Sequence, residues 1–217
     1  MKILALDTST EACSAALLND SHTSACFDLA PQKHSELILP MCEKLLTDAG
    51  ISIAQLDAIA VTRGPGSFTG IRIGAGICQG LAIANDLPVI AISTLQVLAQ
   101  TAWRKTGCNA VYCLIDARMD EVYSSAFQLH NNIMQAQGAE QLVTPEEVKI
   151  NSTMAAAGTG WERYQDMLPP VKTDVIWPEA QDMLPIAEQF FQQGNYTDAS
   201  QLELVYLRND VARKAAR

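Results

Sequence analysis

The chain has 217 residues, 48% of them hydrophobic, and a formal net charge of −9. That suffices to bury a core as one domain or two small ones, and the acidic balance argues against gripping nucleic acid unaided. No stretch reaches the roughly 18 to 20 apolar residues of a membrane span, since the nearest, Ile71 to Ala84, is broken by Arg72 and Gln79.

Ile3 to Asp7, Ala12 to Leu18 and Thr23 to Leu29 read as three short strands, with turn residues in "TSTE" and "NDSH" between them. A helix is expected from about Ser35, which can cap it, to Ala49, with Gly50 ending it. "LDAIAVT" has the continuous apolar centre of a strand covered on both faces. A glycine-rich loop then leads into a helix from about Thr69 to Asn85. "LPVIAIS" reads as another buried strand, and "TLQVLAQTAWRK" as a helix. The order β-β-β-α-β-α-β-α predicts three antiparallel strands continued by parallel ones, covered by helices.

"KTGCN" reads as a boundary, dividing the chain into a lobe over 1–105 and a smaller α/β lobe over 106–217. In the second lobe "AVYCLIDAR" and "EVYSSAFQL" read as strands joined at Arg118 to Asp120. A helix start is expected near Trp161, and the last, amphipathic helix around "AQDMLPIAEQFFQQG" can pack back on the first lobe. Asn131 to Ser152 shows no readable pattern, and the basic "RNDVARKAAR" reads as a solvated tail. The cysteines, Cys13, Cys26, Cys42, Cys78, Cys108 and Cys113, form no C-x-x-C pair. "MKILALDTST" is not a secretory signal, so reduced thiols and a cytoplasmic location are expected.

The most distinctive stretch is "VTRGPGSFTGIRIGAGI". It lacks the Gly-Lys-Ser/Thr ending of a phosphate-binding P-loop. Gly64, Gly66 and Gly70 are spaced one residue too wide for G-x-G-x-x-G, and Ser67 lacks the glycines of G-x-S-x-G. Two readings remain, an anion site at a helix start and a tight strand-to-helix turn. The helix that follows is apolar almost all round, and Gly76 and Gly80 stand four apart, which lets another backbone come close. The preceding helix also has a broad apolar face, so the pair is either buried within its own domain or shared with a partner. The candidate contact residues are Leu37, Ile38, Met41 and Leu45 on the first helix. On the second they are Ile71, Arg72, Gly74, Ala75, Ile77, Cys78, Gly80 and Leu81.

Asp7, with Thr8 and Ser9 in the turn after it, could hold a hydrated Mg²⁺ beside a phosphate, or could simply start a turn. His22, His34 and His130 are isolated, which argues against a zinc hydrolase. Asp116, Arg118, Asp120 and Glu121 lie close together and fit either acid–base work or a charged hairpin tip.

Taken in order, "ILALDTST", "KHSELILPM", "TRGPGSFTGIRIG", "LPVIAISTL", "IDARMDEVY", "GTGW", "AQDMLPIA" and "VYLRNDVA" resemble the TsaB (YeaZ) family, which acts in making threonylcarbamoyladenosine in tRNA. The resemblance covers nearly the whole chain, and "RGPGSFTGIRIG" is its most specific part. It implies an actin-like ATPase (ASKHA) fold of two ribonuclease-H-like lobes, mixed sheets flanked by helices. It also implies a non-catalytic subunit that binds a TsaD-like catalytic subunit through the two helices named above. A TsaE-like ATPase would join that pair. The chain would be a homodimer when alone and would meet tRNA only through the complex, with no membrane contact. TsaD-type proteins bind metal through a His-x-x-x-His pair, and the corresponding positions here are Thr94 and Leu98. No cofactor of its own is expected; ATP or ADP with Mg²⁺ would bind only at a joint site with partners, with Asp7, Thr8 and Ser9 as candidates. The competing readings are an ATP-dependent phosphotransferase acting alone through Asp7 and "GPGSFTG", and, further off, a metalloprotease.

Overall fold

In the computed structural model, which describes residues 1–150, 153–168 and 173–208, the chain starts as an antiparallel meander. β1 (Lys2–Asp7), β2 (Ala12–Asn19) and β3 (His22–Leu29) pair in the order β3-β2-β1. β4 (Ala58–Thr62) and β5 (Val89–Ile92) extend the sheet beside β1, both parallel to it. The order β3-β2-β1-β4-β5 is the one expected of a ribonuclease-H-like sheet.

Strand periodicity divides the apolar residues between two faces. Leu4 and Leu6 pack under α1 (His34–Asp48) and α2 (Phe68–Asn85), in one core with Ile38, Cys42, Leu45, Cys78 and Ala82. Ile3 and Ala5 face the opposite way, into a core with Met183, Leu184, Ile186 and Ala187 of α5 (Met183–Gln192). The last helix therefore packs against the first sheet.

α3 (Thr94–Thr106) lies between the two halves of the molecule. Val97 joins the core of the first sheet, while Leu95, Leu98, Ala99 and Ala102 cover the second. Its ends carry the expected signals. Ser93 accepts a hydrogen bond from the Gln96 amide at 3.3 Å, and Gly107 closes the helix at φ +72°.

The second sheet repeats the first in shortened form. β6 (Ala110–Arg118) and β7 (Glu121–His130) are antiparallel, and β8 (Ile133–Ala136) and β9 (Gln141–Val143) both pair with β7. β10 (Ala155–Ala157) lies parallel to β6 on its other side and leads into the short α4 (Thr159–Arg163). Two mixed sheets flanked by helices are thus the architecture, as expected of the actin-like class.

Three local expectations need correction. Ser35 does not cap α1; the cap position is Lys33, without a side-chain hydrogen bond. The helix begins earlier because His34 is buried, its Nε2 3.2 Å from the Ala12 carbonyl oxygen. The segment without readable pattern contains β8 and β9. Finally, the part of the basic tail beyond Arg208 lies outside the described residues, whereas Arg208 itself is tied down. It donates to the Ala117 and Arg118 carbonyls, both at 3.1 Å, and pairs with Glu121 at 2.6 Å.

Candidate functional site

The glycines of the loop before α2 serve a close approach within the chain. A Cβ on Gly66 would stand 2.4 Å from the Ser9 carbonyl oxygen, and one on Gly70 would stand 2.0 Å from that of Thr8. A Cβ on Gly74 would meet the Thr8 hydroxyl at 2.7 Å. The bare backbone lets α2 lie directly on the β1–β2 turn, and hydrogen bonds fix it there. Ser67 N donates to the Ser9 carbonyl at 2.7 Å, and the Thr8 hydroxyl to the Gly70 carbonyl at 2.7 Å. Ser67 accepts from the Gly70 amide at 3.2 Å, so part of the helix start is already occupied. Of the two readings left open by the sequence, the geometry supports the tight turn.

Asp7 behaves as the first residue of that turn. Its Oδ1 accepts from the Ser9 amide at 2.9 Å and from the Thr62 hydroxyl at 2.7 Å. Asp7 and Thr8 are fully buried, and Oδ2 of Asp7 has no hydrogen-bond partner. Burial raises the Asp7 carboxyl above the usual carboxylate range, against the hydrogen bonds that lower it. A carboxylate holding hydrated Mg²⁺ must face water; this one is sealed beneath the turn. Ser9 alone of the three candidates reaches the neighbouring cleft.

That cleft, about 1030 Å³, opens between the two sheets. Its walls are the β1–β2 turn, the first turns of α2, the end of β6 and the segment Val205 to Arg208. Arg72 stacks on Phe68, 3.5 Å from the ring centroid, and donates to the Tyr206 hydroxyl at 3.0 Å. Across the opening, Arg118 pairs with Glu11 at 2.9 Å and with Asp116 at 3.0 Å. Asp116, Arg118, Asp120 and Glu121 do form the tip of a β-hairpin, in which Arg118, Met119 and Asp120 all have positive φ.

The two long polar side chains of α2 both reach the C-terminal segment, a connection with no signal in the sequence. Gln79 donates to the Ala199 carbonyl at 2.9 Å, and Arg72 reaches Tyr206. Val205 N then bonds the Arg63 carbonyl at 2.9 Å, before Arg208 crosses to the β6–β7 turn. Residues 197–208 therefore strap the first sheet to the second.

The candidate contact residues divide by burial. Ile38, Leu45, Ile71, Gly74, Ala75 and Cys78 are buried against the chain's own sheet or turn. Leu37, Met41, Ile77 and Leu81 are half-buried, and Arg72 and Gly80 are exposed. What α2 turns outward is a stripe of Arg72, Gly76, Gly80 and Ile83, the last 66% exposed. Around Gly76 and Gly80 no atom beyond the adjoining residues and the helix's own backbone lies within 4 Å of where a Cβ would be. On α1, Leu39 is 44% exposed. Ile83 and Leu39 are thus the exposed large apolar residues of α2 and α1 beyond Phe68, and the apolar pattern of the sequence points instead to residues nearer the core.

A family model described as "TsaD: tRNA N6-adenosine threonylcarbamoyltransferase" matches residues 28–213. The tRNA threonylcarbamoyladenosine biosynthesis protein TsaB of Escherichia coli (strain K12) is 46% identical, over 99% of this chain and 97% of its own. The chain belongs to the TsaB family. Its counterpart in Haemophilus influenzae (strain ATCC 51907 / DSM 11121 / KW20 / Rd), also named TsaB, is 40% identical over 99% of this chain and 96% of that one. The solved structure titled YeaZ from Pseudomonas aeruginosa superimposes with a TM-score of 0.90 at 42% identity, covering 95% of this chain and 99% of the other. Membership of the TsaB family places the chain in tRNA threonylcarbamoyladenosine biosynthesis.

In this TsaB-family chain Thr94 and Leu98, which the resemblance sets against the metal-binding histidine pair expected of TsaD-type proteins, are fully buried in α3. Neither residue type is a metal ligand of that kind. Among the described residues no group of three or more His, Cys, Asp or Glu could hold a metal ion. All six cysteines are free, and burial pushes the thiols of Cys13, Cys42 and Cys78 up to about 12. At neutral pH those three are protonated and inert packing groups.

Proposed function

We propose that the chain is a non-catalytic subunit that docks a TsaD-type transferase subunit through the outer faces of α1 and α2, and with it a TsaE-type ATPase. The observation that carries this reading is the bare stripe at Gly76 and Gly80, open to 4 Å and bordered by half-buried Ile73 and Ile77 and by exposed Ile83. A glycine inside a helix costs stability, about 0.5–1 kcal/mol relative to alanine. Gly70 and Gly74 recover that cost through contacts within the chain, whereas Gly76 and Gly80 have nothing there to pack against. A second helix crossing at this stripe would supply the missing contact. In the absence of the partner, the same face pairs two copies of this chain.

The chemistry is assigned to the partner because Asp7 is sealed from water and hydrogen-bonded by Ser9 of its own turn and Thr62 of β4. That arrangement weighs against a phosphotransferase acting alone, and nucleotide with Mg²⁺ is taken only at a site a partner completes. tRNA is reached through the complex, in keeping with the net charge of −9.

The test is Gly76→Glu, which adds charge at an open position and leaves the fold of the isolated chain intact by circular dichroism. Expected results are loss of co-purification with the TsaD-type subunit and loss of tRNA modification in a reconstituted system that needs this chain. Association unchanged by the substitution would overturn the interface, and modification at full rate without this chain would overturn the role.

A further inference from the structure

A second cavity, of about 440 Å³, lies on the side of the first sheet away from α1 and α2. Two strand ends define it, since Arg63 follows β4 and Ser93 follows β5. Parallel strands place ligand sites at such carboxyl ends. The β8–β9 connection supplies Glu140, and Phe127, Ile133 and Phe190 make an apolar wall.

The charges here form only a loose ion pair. Arg63 Nη2 stands 3.9 Å from Glu140 Oε2, too far for a hydrogen bond. Glu140 is held in place from its other oxygen, which accepts from the Ser93 hydroxyl. The Arg63 side chain is only 33% exposed, and its guanidinium has no hydrogen bond among the described residues. A guanidinium presents five donors, and those of Arg63 are free to take an acceptor within the cavity.

We propose that this cavity binds a free α-amino acid. The ligand carboxylate fits the guanidinium as a two-pronged acceptor, and the ligand ammonium fits the free oxygen of Glu140. A simple anion would meet repulsion from Glu140, and a simple cation from Arg63. A zwitterion, whose opposite charges flank one carbon, satisfies both groups at their observed spacing. The side-chain amides of Gln135 and Gln189 line the same space and make no hydrogen bond among the described residues, so they offer recognition to a polar side chain. The volume suits a small ligand. This inference does not depend on the docking face, which lies across the sheet.

The experiment is calorimetric titration of the full chain with each of the twenty proteinogenic L-amino acids, with acetate and methylamine as single-charge probes. Saturable heat is expected for at least one amino acid and for neither probe. Arg63→Gln and Glu140→Gln should each weaken that binding about tenfold or more, with circular dichroism unchanged. If one variant does not fold, the other carries the same expectation. No saturable heat from any amino acid in the millimolar range would overturn the proposal. So would acetate binding as tightly as the amino acid, or binding unchanged in a folded variant.

Discussion

The glycines in and after one loop have opposite roles, and single substitutions separate them. Gly70→Ala would place a methyl group 2.0 Å from a backbone oxygen that cannot move without shifting the β1–β2 turn. The expected loss is about 2–3 kcal/mol in chemical denaturation. Gly76→Ala and Gly80→Ala meet open space, so each should stabilise the isolated chain by about 0.5–1 kcal/mol through helix propensity alone. Equal effects at all three positions would contradict the division of roles. Asp7 gives a prediction with a sign. Its folded carboxyl is raised by burial, so between the unfolded value, near 3.8, and the raised one the folded state holds the extra proton. Stability from this group is therefore full below the unfolded value and falls as pH rises through that window. Asp7→Asn keeps an oxygen for the Ser9 and Thr62 bonds, and should raise the melting temperature at pH 7 and flatten that part of the pH profile. A variant less stable than the parent at pH 7 would show that the ionised carboxylate is favoured here.

At the scale of elements, α3 shows how a helix can finish a sheet. Gln100 is 1% exposed and bonds two backbone groups of the β7–β8 hairpin, accepting from the Met134 amide at 2.8 Å and donating to the Asn132 carbonyl at 2.9 Å. Gln96 donates to the Met134 carbonyl at 2.9 Å. These side chains replace the missing neighbour strand on the edge of β8, an edge that would otherwise invite pairing. Gln100→Ala leaves the buried Met134 amide unsatisfied and should cost about 2 kcal/mol or more in urea unfolding; a neutral result would mean that water replaces the side chain. This arrangement also explains what the sequence hid. The strands of the first sheet other than the exposed β3 are largely apolar runs, all five are bounded by turn residues, and each was legible to within one or two positions. β8 and β9 are short, and much of what holds β8 comes from glutamines on a distant helix. Asn131-Asn132 was the usable signal, because both residues take positive φ in a two-residue hairpin turn. The contact residues were harder to read, since a helix apolar all round does not say which side meets its own sheet. The strap over residues 197–208 is held by backbone bonds to Arg63 and Val89 and by Arg208, and a single sequence carries no pattern for such contacts.

At the scale of the whole molecule, the question is whether two sheets mean two folding units. The strands divide into two sheets, yet three features besides the strap cross the division. α3 gives Val97 to one core and Leu95, Leu98, Ala99 and Ala102 to the other. Arg104, at the end of α3, reaches Asp182 at 2.7 Å and Glu179 at 2.6 Å, tying α3 to the segment that starts α5. α5 itself comes from the second half of the chain and covers the first sheet. Removing either sheet would expose an apolar face of α3, so neither half can unfold while leaving the other intact. A single cooperative transition is therefore expected. The tryptophans make the check direct, because Trp103, Trp161 and Trp177 all lie at or beyond α3 and none is in the first sheet. Their fluorescence follows the second half, while far-ultraviolet circular dichroism follows the whole backbone. Coincident denaturation midpoints would establish one unit. Separated midpoints, with fluorescence changing first, would show that the first sheet keeps α5 and stands without the second, and that α3 is a linker between two domains.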